Sequence, residues 1–130
     1  MLCPCCSMMP YALCCGPLLA GERRASSALA LMRSRYTAFA TQNAQYLYDT
    51  YAKAERSQHR LSDIARDLSG SMWVKLEIVS VKQEDAHNAR VAFRAYNQKG
   101  RQQFCLAEDS AFVKEEEGWR YVQSRSRPLS

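Results

Sequence analysis

The sequence predicts an α+β fold in which helices pack on one face of a curled antiparallel sheet. Three observations predict it. Apolar residues recur at three- and four-residue steps as far as Gly70, the period drops to two beyond it, and the alternating runs that follow are joined by short polar connections. With 130 residues, 47% hydrophobic and 24% charged, the chain can bury roughly two thirds of its unfolded surface and needs no disulfides to fold.

The first helix starts at Ser26 or Ser27, either of which can cap it, and carries Leu29, Met32, Tyr36, Phe39 and Ala40 on one face. Asn43 caps or breaks the pattern before Tyr46, Leu47, Tyr48 and Tyr51. A short third helix fits LSDIARDLSG, with Leu61, Ile64, Ala65 and Leu68 inward and Gly70 as its stop. In MWVKLEIVSVK, Val74, Leu76 and Ile78 share one face, Val79 and Val81 the other, and a bulge near Ile78-Val79 reconciles the halves. ARVAFRAY sets Val91, Phe93 and Ala95 against Arg90, Ala92 and Arg94. FCLAEDSAFV sets Phe104, Leu106, Glu108, Ser110 and Phe112 against Cys105, Ala107, Asp109, Ala111 and Val113. WRYVQ, with Trp119 and Tyr121, closes an antiparallel meander through the turns EDAHN, NQKG and KEEEG.

Residues 1–21 differ from the rest. They are uncharged up to Glu22, yet Pro4, Pro10, Pro17 and Gly16 argue against a membrane helix. A basic start, a clean apolar run and a cleavage site are missing for a signal peptide. The expectation is a cytoplasmic protein with no membrane contact, where thiols stay reduced. The formal charge of +5 is mild and its arginines are scattered apart from pairs such as Arg23-Arg24, Arg33/Arg35 and Arg125/Arg127, so nucleic acid is not implied by charge alone.

Five of the six cysteines fall within MLCPCCSMMPYALCCGP. As ligand spacing this gives Cys3-x-Cys5, eight residues, then Cys14-Cys15, the four thiolates that a structural Zn²⁺ takes in a tetrahedron. Oxidised thiols are the alternative. So small a loop has little core, and zinc would supply its folding energy, on the order of 10 kcal/mol. Four thiolates leave no place for water, which disfavours a catalytic metal. They would also change the formal charge from +5 to +3.

C-x-C-x8-C-C followed by Gly16, with Tyr11 three positions before the pair, resembles the SEC-C zinc motif. That motif also occurs at the C-terminus of the SecA translocation ATPase, where it binds the chaperone SecB and the ribosome. GPLLAGE and LMRSRYTAF (Leu31 to Phe39) resemble the bacterial YchJ-like family. Glu108-x-Ser110-x-Phe112, Trp119-x-Tyr121 and Arg127-Pro128 follow in that family's order. The resemblance spans nearly the whole chain. It implies a zinc knuckle over residues 1–21 and, over 22–130, a domain similar to nuclear transport factor 2 or cystatin, a cone of helices against a curved sheet. Domains of this type often form homodimers through the sheet. Three departures stand out: relatives usually have Gly at Cys6 and often at Met8; many carry a second knuckle; and their aromatic-His-Pro is Tyr51-Ala52-Lys53 here. Cys6 is thus a spare thiol or an alternative ligand.

Outside the knuckle, Glu108 and Ser110 share the face of Leu106 and Phe112, and a carboxylate facing the helices needs a partner such as Arg33 or Arg35. Arg33 and Arg35 are about 200° apart on a helix, so one faces outward and the other the sheet. Two readings stay open: an ion pair tying helix to sheet, or a pocket general base like that of ketosteroid isomerase, which shares this fold type. Cys105 reads as a buried small residue, His59 and His87 as solvated, and Tyr36, Trp73, Trp119 and Tyr121 as core. No catalytic set can be assembled. The function expected is a non-catalytic zinc-binding module docking a protein partner through the knuckle. The alternatives are a pocket that binds or isomerises a small hydrophobic molecule with Glu108 and Arg33 or Arg35, and contact with RNA or the ribosome.

Overall fold

The computed structural model describes residues 1–126; the expected Arg127-Pro128 motif lies outside the described residues. A single 3-10 turn at Tyr11–Leu13 precedes five helices: α1 (Gly16–Leu19), α2 (Ala28–Ala40), α3 (Ala44–Asp49), α4 (Lys53–Arg56) and α5 (Leu61–Asp67). Four strands follow, β1 (Met72–Gln83), β2 (Asn88–Lys99), β3 (Gln102–Glu115) and β4 (Gly118–Ser126), in the order β1-β2-β3-β4, all neighbours antiparallel. The meander is the one that the alternating pattern predicts.

Two caps stand where the sequence places them. Ser27 Oγ accepts from the Ala30 N–H at 3.0 Å at the head of α2. Asn43 Oδ1 accepts from the Tyr46 N–H at 3.1 Å at the head of α3. Gly70, at φ +81°, follows α5 in the left-handed conformation that glycine takes without a Cβ penalty. The pattern gives no helix at Gly16–Leu19 or Lys53–Arg56, and both exist. Pro17 falls in the first turn of α1, where a missing N–H removes no bond, so a proline that rules out a long helix opens a short one. In α5 the expected inward set shrinks to Ile64 and Leu68. Leu61 and Ala65 are exposed, since this short helix packs along α3 on one narrow line.

Helix α2 is enclosed rather than amphipathic. Leu31, Met32, Tyr36 and Ala38 are buried, and so are Ser34, Arg35 and Thr37. β1, β2 and β4 lie on one side of α2, with α1 and α3 on others. The buried hydroxyl of Ser34 donates to Leu31 O at 2.7 Å and meets the Tyr46 hydroxyl at 2.6 Å, which satisfies both.

On the sheet, Val91, Phe93 and Ala95 face inward as expected, and β3 sets Ser110, Glu108 and Leu106 directly beside them. β1 has the expected irregularity between Ile78 and Ser80 and a second between Trp73 and Lys75. The extra residue at Val79 returns Val81 to the face of Leu76 and Ile78, opposite Val91, so the expected pairing of Val79 with Val81 on one face fails. Val74, expected beside Leu76, sits at the other irregularity and is exposed. Beyond β4, Tyr51 adds a parallel bridge: the Ala52 N–H donates to Tyr121 O and the Tyr121 N–H to Thr50 O, both at 2.8 Å. His59 is not simply solvated, because its ring stacks on Tyr51 at 4.1 Å. His87 is exposed. Cys105 is only half-buried, since its strand parity turns it to the outer face beside Tyr96.

One cluster joins Cys3, Cys5 and Cys15 to Leu31, Met32, Phe93, Phe112 and Trp119. The N-terminal segment is therefore part of the main core. No helix among the described residues is long and apolar enough to cross a membrane.

Candidate metal centre

The N-terminal segment closes on itself before it meets the domain. Cys3 N–H donates to Met9 O at 2.8 Å and Tyr11 N–H to Met1 O at 3.0 Å, so Leu2 and Pro10 pair as a minimal antiparallel ribbon. The chain then makes its 3-10 turn and enters α1, which brings Cys14 and Cys15 back over Cys3 and Cys5. Gly16 makes that return possible: a Cβ there would lie 2.8 Å from Tyr11 O and 3.1 Å from the tyrosine ring. The glycine after the cysteine pair and the tyrosine before it thus belong to one contact.

The Sγ atoms of Cys3, Cys5, Cys14 and Cys15 all lie within 4.8 Å of one another. Cys5 and Cys14 are 3.6 Å apart and Cys14 and Cys15 3.9 Å. A tetrahedron of Zn–S bonds of about 2.3 Å has sulfur–sulfur edges of about 3.8 Å. The donor set therefore fits such an ion in number, type and spacing, and these separations are far beyond a disulfide bond. Three of the four thiols are buried and Cys14 is half-buried.

Cys5, Cys14 and Cys15 oppose one another's ionisation. A hydrogen bond from Cys15 draws the Cys5 thiol down to about 4 against its burial. Cys15 is pushed up by that same bond and then by burial, and Cys14 is pushed up chiefly by burial. The Cys5 thiolate is thus favoured at the expense of Cys14 and Cys15, and a divalent ion is what would let those two follow. Polar groups already surround the sulfurs. Ser7 Oγ is 3.1 Å from Cys14 Sγ, Thr37 Oγ1 is 3.8 Å from Cys3 Sγ, and Arg33 Nη1 donates to Cys5 O at 2.8 Å with Cys5 Sγ at 4.0 Å.

Cys6 stands outside this cluster. Its Sγ accepts the Leu76 N–H at 3.4 Å, so the fifth thiol covers a backbone donor on edge strand β1. Both Cys6 and Met8 have left-handed backbones, φ +65° and +68°, a conformation that favours glycine.

The structure also separates the two arginines named beside Glu108. Arg33 goes to the knuckle, where the carbonyl of Cys5 and the sulfur cluster hold it. Arg35 turns inward and lines a cavity of about 170 Å³ with Glu108, Ser110, Tyr36 and Trp73. Of the four aromatics read as core, Trp119 is wholly so, while Tyr36, Trp73 and Tyr121 also form cavity wall. Sequence reasoning missed Thr37 and Ser7, whose roles depend on the fold of the loop and have no spacing signature.

Residues 27–124 match the family described as YchJ, middle NTF2-like domain. The chain is similar to a SEC-C motif containing protein from Rhodopseudomonas palustris, known from a solution structure, with 30% identity and a TM-score of 0.90 over 98% of this chain and 100% of that one. It is also similar to a SEC-C motif containing protein from Psychrobacter arcticus, with 25% identity and a TM-score of 0.85 over 100% of this chain and 85% of that one. A putative Ca/calmodulin-dependent kinase II association domain from Exiguobacterium sibiricum shares the fold alone, with a TM-score of 0.58 and 14% identity over 78% of this chain and 90% of that one.

Proposed function

The chain belongs to the YchJ family with its middle NTF2-like domain, and from that premise we propose that its four clustered cysteines hold one structural zinc ion and that the knuckle they close docks a protein partner. The observation that carries the metal reading is the set of four sulfurs within 4.8 Å of one another, with Cys14 Sγ 3.6 Å and 3.9 Å from those of Cys5 and Cys15. Cys3, Cys5, Cys14 and Cys15 are the ligands in this reading, and four thiolates leave no open position for substrate or water. The ion's work is to hold the ribbon against α1 and α2.

What the knuckle displays supports docking. Leu2, Met8, Met9 and Leu13 are exposed by 47% or more within its first thirteen residues. No charged side chain occurs before Glu22, so the only formal side-chain charge in that stretch would be the surplus of two negative charges on a zinc tetrathiolate. An apolar face over a buried negative centre suits a protein segment that is apolar and basic. Adaptable methionines suit such a face.

The test replaces Met8 and Leu13 by Asp in the full chain. Retained zinc and fold, with loss of a stoichiometric partner that is identified by mass and resists ribonuclease, is the expected result. Unchanged partner retention overturns the docking reading. Retention abolished by ribonuclease, with a steep salt dependence, favours RNA or ribosome contact instead.

A further inference from the structure

Between α2 and the concave face of the sheet lies the cavity of about 170 Å³, and its wall is largely aromatic: Tyr36, Phe39, Trp73, Phe93 and Phe112. That space matches one small aromatic ring, since a dry cavity of roughly 150 Å³ lined by apolar residues takes up benzene. Leu106, 38% exposed, stands at the wall where the cavity meets solvent.

Arg35 makes this more than a packing gap. Its side chain lines the cavity, yet the residue is 5% exposed. Nη1 donates to Leu47 O at 3.0 Å and to Thr50 Oγ1 at 2.7 Å, and the guanidinium lies 4.8 Å and 4.2 Å from the ring centres of Tyr51 and Tyr121. Among the described residues no carboxylate oxygen comes within 4.0 Å of it. Among the described residues this buried guanidinium is held by neutral oxygens and ring faces and has no direct ion-pair partner, a costly arrangement that an anion would relieve. Ser110, 1% exposed, lines the same cavity. Glu108, also on this wall, is a partnered carboxylate.

We propose that this cavity binds a small aromatic carboxylic acid, its carboxylate on Arg35 and its ring among Phe39, Trp73 and Phe93. A planar guanidinium suits a carboxylate, because two of its N–H groups can donate in parallel. Glu108 and Ser110 line the sheet wall of the cavity beside Phe93 and Val91 of β2, where a hydroxyl on the ligand's ring would find acceptors. The proposal is independent of the metal: it concerns α2 and the sheet, and its readout is not zinc content.

Benzoate and benzyl alcohol are the probes, added to the zinc-assayed full chain and followed by amide and indole NMR. Benzoate is expected to shift the Trp73 indole and the Phe93 and Ala95 amides saturably, with a Kd of about 1 mM or tighter. Benzyl alcohol, with the same ring and no charge, is expected to bind roughly tenfold or more weakly. Ala95→Leu, which fills the cavity and keeps Arg35, is expected to abolish the benzoate shifts, and Arg35→Met to remove the preference for the acid. Absence of saturable shifts, equal affinity for the two probes, or benzoate shifts that persist in Ala95→Leu would overturn the proposal. If Arg35→Met does not fold, the comparison on the unaltered chain decides.

Discussion

At Cys6 and Met8 the backbone is left-handed, φ +65° and +68°, a conformation that costs a residue with a Cβ about 1–2 kcal/mol. The family resemblance marks both sites through the glycines it implies there; the reason is conformational. Cys6 recovers part of that cost by accepting the Leu76 N–H on the edge strand, which turns the fifth thiol away from the four clustered sulfurs. Gly16 is constrained differently, by contact: a Cβ would press on Tyr11 O at 2.8 Å, a backbone atom that cannot swing aside. Gly16→Ala should therefore destabilise the knuckle by about 1–3 kcal/mol. The check is thermal unfolding together with zinc affinity, both of which should fall; an unchanged midpoint and affinity would show that the return of the chain has slack. Arg33 and Arg35 show what spacing alone can say. Their divergence on α2 is legible, but which one meets the sheet, and that the other serves the knuckle, depends on neighbours 12 to 28 residues away.

Among the elements, α2 and β1 limit sequence reading in opposite ways. The start of α2 is legible because Ser27 caps it locally, as Asn43 does for α3. Its buried set is not, because Ser34, Arg35 and Thr37 are polar residues that only tertiary partners make tolerable. In β1 the alternation itself announces one bulge; the second, at Val74, has no local signal. The β1–β2 turn adds a pH-dependent device. Asp85 accepts from the His87 N–H at 2.8 Å and from Asn88 Nδ2, and these bonds, the backbone one first, hold its carboxyl below the usual aspartate value. A group depressed on folding stabilises above its unfolded pKa, and the contribution is lost as pH falls through the lower folded value. The turn should thus be firm at neutral pH and loosen only in acid below the ordinary aspartate range. Faster exchange of the His87 amide in Asp85→Ala at neutral pH, with the difference vanishing in that acid window, is the expected outcome. An NMR titration placing Asp85 at or above the ordinary value would contradict it.

At the scale of the molecule, the knuckle and the domain are distinct in composition but not in packing. Residues 1–21 lack charge and residues 22–126 alternate it, yet Cys3, Cys5 and Cys15 share a core with Leu31, Phe93 and Trp119. The α+β class and the ligand spacing could be read from periodicity and cysteine positions because both are local patterns. The cavity at Arg35 and the stacking of His59 on Tyr51 could not, because each arises where distant segments meet. Shared packing has a consequence for metal removal. Chelation should lower the unfolding midpoint of the whole chain in one transition, and amide exchange should quicken at Val91 and Phe93 as well as in the knuckle. Elemental analysis of untagged protein purified without chelator, set beside the Cys14→Ser, Cys15→Ser double variant, tests the central claim most directly. About one zinc per chain, absent from the variant, is the result predicted by the four-cysteine site; a folded, unaltered chain that contains no zinc and takes up none when it is supplied would contradict it.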